Sequence, residues 1–81
     1  MTRDKIRTMI QGILADLVDD PSLVLTDSTS AGDIADWDSI NHVRLLIAIE
    51  QELGFRFTTE EPDGLSNVGE LVDLVQKKLG G

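Results

Sequence analysis

The sequence contains no cysteine, and this absence excludes several kinds of chemistry at once. A chain without cysteine has no disulfide framework, no thiolate ligands for a zinc site and no thiol nucleophile of its own. The sequence also lacks a long hydrophobic run, because charged side chains interrupt the apolar ones throughout the first twenty residues. We therefore expect no signal peptide and no membrane insertion, and we predict a cytoplasmic protein that is held together by helix packing.

Lysine and arginine are missing between Met9 and Val43, a stretch that contains seven aspartates. The whole chain has a formal net charge of -8 over 81 residues. Such a surface repels nucleic acid and anionic lipid and attracts basic partner surfaces. We accordingly expect no nucleic-acid partner and a monomer. The length predicts a single domain over residues 1–81, with a modest core and little room for a deep catalytic cleft.

The apolar residues between positions 6 and 18 recur at three-and-four spacing and predict a first helix. Thr2 is available as its cap, and the Asp-Asp-Pro run at positions 19 to 21 is expected to stop it. A long loop rich in turn formers follows, up to Asp38. We expect its apolar residues to pin it to the core; these are Leu23, Val24, Leu25, Ile34 and Trp37.

A second helix is predicted to begin at Ser39 or Ile40 and to continue to Leu53, with Gly54 as a natural stop. Residues 45 to 49 are apolar almost all round the helix, so we expect this helix to be the central one.

Two further segments are predicted to be helical. Thr58 and Glu61 have the spacing of a capping box for a short third helix of about one turn. Asn67 can cap the last helix, with Glu70 at its third position and one apolar stripe extending to Leu79. The pattern as a whole predicts an all-α protein with three long helices and one short one.

Ser39 has three candidate roles: nucleophile, helix cap and acceptor of a phosphodiester. A hydrolase would pair it with His42, one helical turn later, as nucleophile and base. The sequence has no G-x-S-x-G elbow and no second histidine, so we assign no catalytic residues and interpret His42 as a solvated residue. Ser39 could instead be the helix N-cap, or the acceptor of a phosphodiester at the positive end of the helix dipole. Its position alone does not separate these two roles.

Positions 27 to 38 begin like a calcium-binding loop, with aspartate first and glycine sixth. In such a loop Asp27 would be the first ligand. Ala31 occupies the fifth position, where such a loop needs an oxygen ligand. We therefore predict no dedicated metal site.

The triplet Asp38-Ser39-Ile40, the following stretch VRLLIAIEQELGFRF and the closing VGELVDLVQKKL resemble the acyl carrier protein family over essentially the whole chain. The resemblance implies a four-helix bundle with a long loop between helices one and two. It also implies that Ser39 bears 4'-phosphopantetheine, transferred from coenzyme A by a phosphopantetheinyl transferase with magnesium. Asp38 would be the charged neighbour of the attachment site. The arm would then carry acyl groups as thioesters between enzymes of fatty-acid, polyketide or related specialised biosynthesis.

The same resemblance implies partners and a docking surface. The partners would be an acyl- or aminoacyl-loading ligase and synthase or acyltransferase enzymes. The docking residues would lie around the start of helix two: Trp37, Ile40, Asn41, Val43 and Arg44. Helix two has a mixed rather than acidic face, and the stretch WDSxxH looks more like that of specialised, stand-alone carriers. We interpret Trp37 mainly as an anchor for the loop. Two alternatives remain: an aminoacyl or peptidyl carrier loaded by an adenylating ligase, and an unmodified acidic helical adaptor.

Overall fold

The computed structural model describes residues 1–58 and 65–80 and shows an all-helical chain. Its α-helices are α1 (Arg3–Leu17), α2 (Ser39–Leu53) and α3 (Val68–Lys78), and a 3-10 turn at Ala31–Asp33 lies in the first loop. The described residues contain no strand. The three long helices are confirmed. The short helix predicted to start at Thr58 falls mostly on positions 59–64, outside the described residues, so the four-helix bundle stays a prediction.

Each helix begins with a side-chain cap. The Thr2 hydroxyl accepts a hydrogen bond from the backbone N–H of Lys5 at 3.2 Å, as predicted. The Asn67 amide oxygen accepts one from the N–H of Glu70 at 2.9 Å, also as predicted. Gly54 has a φ of 75° just beyond α2. This left-handed conformation is easy for glycine and ends the helix.

The core is built around α1, which packs against both α2 and α3, whereas α2 and α3 do not approach each other closely among the described residues. The prediction that α2 is central was wrong. Its apolar run spreads over several faces, so Leu45 and Ile49 are fully buried while Ile47 is 47% exposed. The residues that are at most 2% exposed are Ile6, Ile10, Leu14, Leu45, Ile49, Val68, Leu71, Val72 and Val75.

The first loop is anchored to the core by Leu23, Leu25 and Trp37, all of which are buried. Ile34 packs partly against the same core. Val24, predicted as a further anchor, is 71% exposed instead. Leu23 and Leu25 turn inward on either side of it, and this alternation is typical of extended backbone.

The loop is also fastened to the start of α3. The N–H of Val68 donates to the carbonyl of Thr29 at 2.8 Å, and the N–H of Gly69 donates to the carbonyl of Asp27 at 2.9 Å. A Cβ added at Gly69 would lie 3.0 Å from both Cβ and the carbonyl oxygen of Asp27. Only glycine fits this approach without a shift of the loop.

An ion-pair cluster ties the loop to α1. The Asp27 carboxylate pairs with Arg3 at 3.0 Å and with Arg7 at 3.3 Å, and Arg3 also pairs with Asp73 of α3. The hydrogen bond from Arg3 is the main cause that lowers the pKa of Asp27 below its usual value. Asp27, the first position of the calcium-like stretch, is therefore engaged by guanidinium groups.

Candidate functional site

Asp38 and Ser39 have different roles at the start of α2. The Oδ1 atom of Asp38 accepts a hydrogen bond from the backbone N–H of Asn41 at 2.8 Å, so Asp38 is the N-cap. Ser39 is the first residue of the helix and is exposed. Within the described part of the chain its hydroxyl makes no hydrogen bond. The hypothesis that Ser39 caps α2 was wrong, because the neighbouring carboxylate already fills that position.

His42 is held by Trp37 and not by Ser39. The indole Nε1–H of Trp37 donates a hydrogen bond to Nδ1 of His42 at 3.2 Å, and the two rings are tilted by 34° with centroids 5.9 Å apart. Because His42 is partly buried, desolvation lowers its pKa below the usual 6.5. The prediction that His42 is solvated was wrong, since the indole of Trp37 covers part of its ring. Among the described residues, no hydrogen bond joins His42 to Ser39.

Two side chains from the first turns of α2 hold the end of the loop. Besides the Trp37–His42 hydrogen bond, the side-chain amide of Asn41 donates to the carbonyl of Asp36 at 2.8 Å. Trp37 is 7% exposed, which confirms its interpretation as a loop anchor. These two hydrogen bonds between the loop and α2 therefore fix the backbone just before Ser39.

An apolar stripe lies exposed on the outer face of α2. Ile40, Val43 and Ile47 are 65%, 53% and 47% exposed, at the spacing that places residues on one helix face. Arg44 is exposed beside them. The sequence interpretation identified Ile40, Val43 and Arg44 but missed Ile47, which it described only as part of the apolar run at 45 to 49. The three-and-four spacing from Ile40 was the signal that could have found it.

A groove opens beside Ser39 between the first loop, the start of α2 and the segment before α3. It is lined by Ala31, Trp37, Asp38, Ser39, His42, Val43 and Leu65. The sequence did not predict that Ala31 and Leu65 lie beside Ser39, because they belong to distant segments that only the fold brings there.

The described residues contain no group of three or more acidic or histidine side chains placed to hold a metal ion. No helix in the same part of the chain is both long and apolar enough to cross a membrane.

Comparisons with known proteins agree on one family. The chain is 30% identical over 80 residues to the acyl carrier protein of Thermosynechococcus vestitus, with 98% of both chains covered. It is 29% identical over 79 residues to the acyl carrier protein of Coprothermobacter proteolyticus, covering 98% of this chain and 96% of the relative. No protein-family model matches the sequence.

A solved structure supports the same relationship at the level of the fold. The solution structure of a holo acyl carrier protein from Geobacter metallireducens superposes with a TM-score of 0.84 at 41% sequence identity. The superposition covers 93% of this chain and 86% of that one. The fold is that of this holo acyl carrier protein. The chain belongs to the acyl carrier protein family.

Proposed function

We propose that this protein carries acyl groups on a 4'-phosphopantetheine arm attached through a phosphodiester to the Ser39 hydroxyl. The observation that carries the proposal is the cap at the start of α2. Because Asp38 caps the helix, the Ser39 hydroxyl is exposed and free of hydrogen bonds in the described chain. Modification of Ser39 therefore breaks no interaction that the helix needs.

The surroundings of Ser39 suit a phosphodiester. Ser39 is the first residue of α2, where the positive end of the helix dipole favours an anion by about 0.3 to 1 kcal/mol at an exposed position. When attached, the arm supplies a terminal thiol that holds an acyl group as a thioester. The chain has no cysteine that could supply such a thiol itself.

Asp38 is proposed to serve the modifying enzyme as well as the helix. Its Oδ1 atom is engaged by the N–H of Asn41. The carboxylate lies directly beside Ser39, where it can contact the magnesium ion or a basic residue of the transferase.

In this proposal the protein is a monomeric, non-catalytic carrier in the cytoplasm, with residues 1–81 forming one acyl-carrier-like domain. A phosphopantetheinyl transferase modifies it, a ligase loads it, and synthase or acyltransferase enzymes of fatty-acid, polyketide or related specialised biosynthesis use the cargo. A chain of net charge -8 favours partners with basic surfaces.

The partners are proposed to dock on the outer face of α2. Ile40, Val43 and Ile47 supply the apolar contact, and Arg44 supplies a positive charge that selects against partners with a purely basic surface. Asn41 and Trp37 contribute indirectly, because their side chains hold the loop in place.

The test is the intact mass of the purified protein before and after treatment with a broad-specificity phosphopantetheinyl transferase, coenzyme A and magnesium. We expect one added phosphopantetheinyl group on the parent and on Ser28→Ala, and none on Ser39→Ala. Ser28 is the matched control because Asp27-Ser28 is a second Asp-Ser pair that does not start a helix. A folded parent that gains no mass, while a control carrier is modified, would favour the unmodified adaptor.

Aminoacyl and peptidyl cargo require the same attachment site and differ only in the ligase. Incubation of the modified protein with adenylating ligases, each with its own acyl or aminoacyl substrate, separates these carriers by the mass that is added.

A further inference from the structure

A second, smaller pocket adjoins the groove beside Ser39. This inner pocket is lined by Ala31, Trp37, His42, Leu65, Ser66, Asn67 and Leu71. Ala31, Trp37, His42 and Leu65 line both hollows, so they form the wall between them. Ser66, Asn67 and Leu71 line only the smaller pocket, so this pocket extends from the wall towards α3.

The inner pocket is small as it stands. Its volume is about 40 Å³, which leaves room for only a few water molecules at about 10 to 15 Å³ each. An alkyl chain of several carbons therefore enters only if part of the wall moves.

Two residues of this wall, Trp37 and His42, are joined by a hydrogen bond. Trp37 is 7% exposed and donates its indole N–H to Nδ1 of His42 at 3.2 Å. The indole lies at the end of the first loop and the imidazole on the second turn of α2, so this hydrogen bond joins the two sides of the entrance. Separation of the rings would remove the hydrogen-bond partner of both partly buried nitrogen atoms.

We propose that Trp37 and His42 form a closed gate that restricts this carrier to short acyl or aminoacyl cargo. The cargo lies in the outer groove, against Val43, Leu65 and the face of Trp37, and does not enter the interior. This inference rests on the proposed function, because it needs cargo attached at Ser39.

The experiment compares acyl groups of increasing length on the same protein. The transferase is supplied with acetyl-, butyryl-, hexanoyl- or decanoyl-coenzyme A, and intact mass confirms one acylated group on each sample. The melting temperature and the emission maximum of the single tryptophan are then measured. For the parent we expect decanoyl to give the same melting temperature and the same Trp37 emission as butyryl.

Two variants are designed to open the gate. His42→Leu removes the acceptor while keeping an apolar side chain, and Trp37→Phe removes the donor while keeping an aromatic ring. In either variant we expect decanoyl to raise the melting temperature by about 5 °C or more over butyryl, because methylene groups become buried. Trp37→Phe keeps the test decisive if His42→Leu fails to fold.

Two further variants serve as controls. His42→Gln retains a hydrogen-bond acceptor and is expected to behave as the parent. Asn41→Ala removes the neighbouring hydrogen bond to Asp36 without touching the gate, and it too should show no dependence on chain length.

A parent that decanoyl stabilises as much as it stabilises His42→Leu would overturn the gate and leave the carrier function intact. The same holds if Asn41→Ala shows the length dependence, since loosening of the loop would then be sufficient. A parent that gains no mass at Ser39 overturns the carrier function itself, and the gate with it.

Discussion

The Oδ1 atom of Asp38 accepts a hydrogen bond from the backbone N–H of Asn41 at 2.8 Å, which makes Asp38 the cap of α2. The adjacent Ser39 hydroxyl makes no hydrogen bond to any of the described residues. Loss of an aspartate cap costs about 1 kcal/mol. We therefore predict that Asp38→Ala lowers the free energy of unfolding by about this amount, whereas Ser39→Ala changes it by no more than a few tenths.

Urea unfolding of the two variants and the parent measures this difference. Asp38→Asn is the matched control, since asparagine caps helices about as well as aspartate. An equal loss of stability in Ser39→Ala and Asp38→Ala would show that the hydroxyl contributes to the cap after all.

The Trp37–His42 pair predicts a pH dependence of stability. Burial lowers the pKa of His42 in the folded protein below the 6.5 of an unfolded chain. Between these two values the unfolded state binds more protons, so stability rises with pH. The contribution of neutral His42 is fully present above pH 6.5, is lost as the pH falls towards the folded pKa, and changes no further below it.

The measurement is the urea midpoint at several pH values from 7.5 to 5 for the parent and for His42→Gln. The many carboxylates titrate in both proteins, so the difference between the two curves isolates His42. We expect the parent to lose more stability than the variant as the pH falls below 6.5. Parallel curves would contradict the burial of this imidazole.

Gly69 is predicted to tolerate no side chain. Its added Cβ would lie 3.0 Å from the Cβ and the carbonyl oxygen of Asp27, so Gly69→Ala must displace the loop. We expect a loss of about 1 to 3 kcal/mol in the free energy of unfolding, as for other overpacked sites.

Gly12→Ala is the matched control, because Gly12 lies on α1 and its added Cβ would meet nothing within 4 Å. There alanine is expected to stabilise the helix by about 0.5 to 1 kcal/mol. Thermal unfolding of both variants should give shifts of opposite sign, and a Gly69→Ala protein as stable as the parent would show that the loop does not pack closely on α3.

Arg44 is predicted to influence the choice of partner. Arg44→Glu makes the outer face of α2 more acidic, so we expect a higher kcat/KM with partners whose docking surface is basic and a lower one with partners that present an acid to Arg44. Rates are measured with the modified protein and a panel of ligases, synthases and acyltransferases.

Lys77→Glu makes the same change of charge on the exposed part of α3 and should leave these rates unaltered. If every partner ignored Arg44→Glu, the docking surface assigned to α2 would be wrong.

The helix positions could be predicted from the sequence because spacing and caps act locally. Thr2 and Asn67 cap their helices as expected, and α2 begins and ends within the predicted bounds. The choice of cap for α2 could not be made, since aspartate and serine are both good caps and stand side by side.

Long-range packing was less predictable. The position of α1 between the other two helices, and the covering of His42 by Trp37, depend on how the first loop folds back. The spacing of residues along one helix does not predict contacts between segments that are far apart in the sequence. The sequence did not reveal that Gly69 makes room for Asp27 either, because Asp27 belongs to a distant segment.

Ser39 is proposed as the one attachment site, and peptide-level mass spectrometry of the transferase-treated protein locates the attachment. The stretch after Arg7 up to Arg44 contains no lysine or arginine, so trypsin releases Ser28 and Ser39 in one peptide. Fragmentation by electron transfer, which retains the modification, then locates the added mass. We expect the whole phosphopantetheinyl mass on Ser39 and none on Ser28; added mass on any other hydroxyl of this peptide, with Ser39 unmodified, would show that Ser39 is not the attachment site.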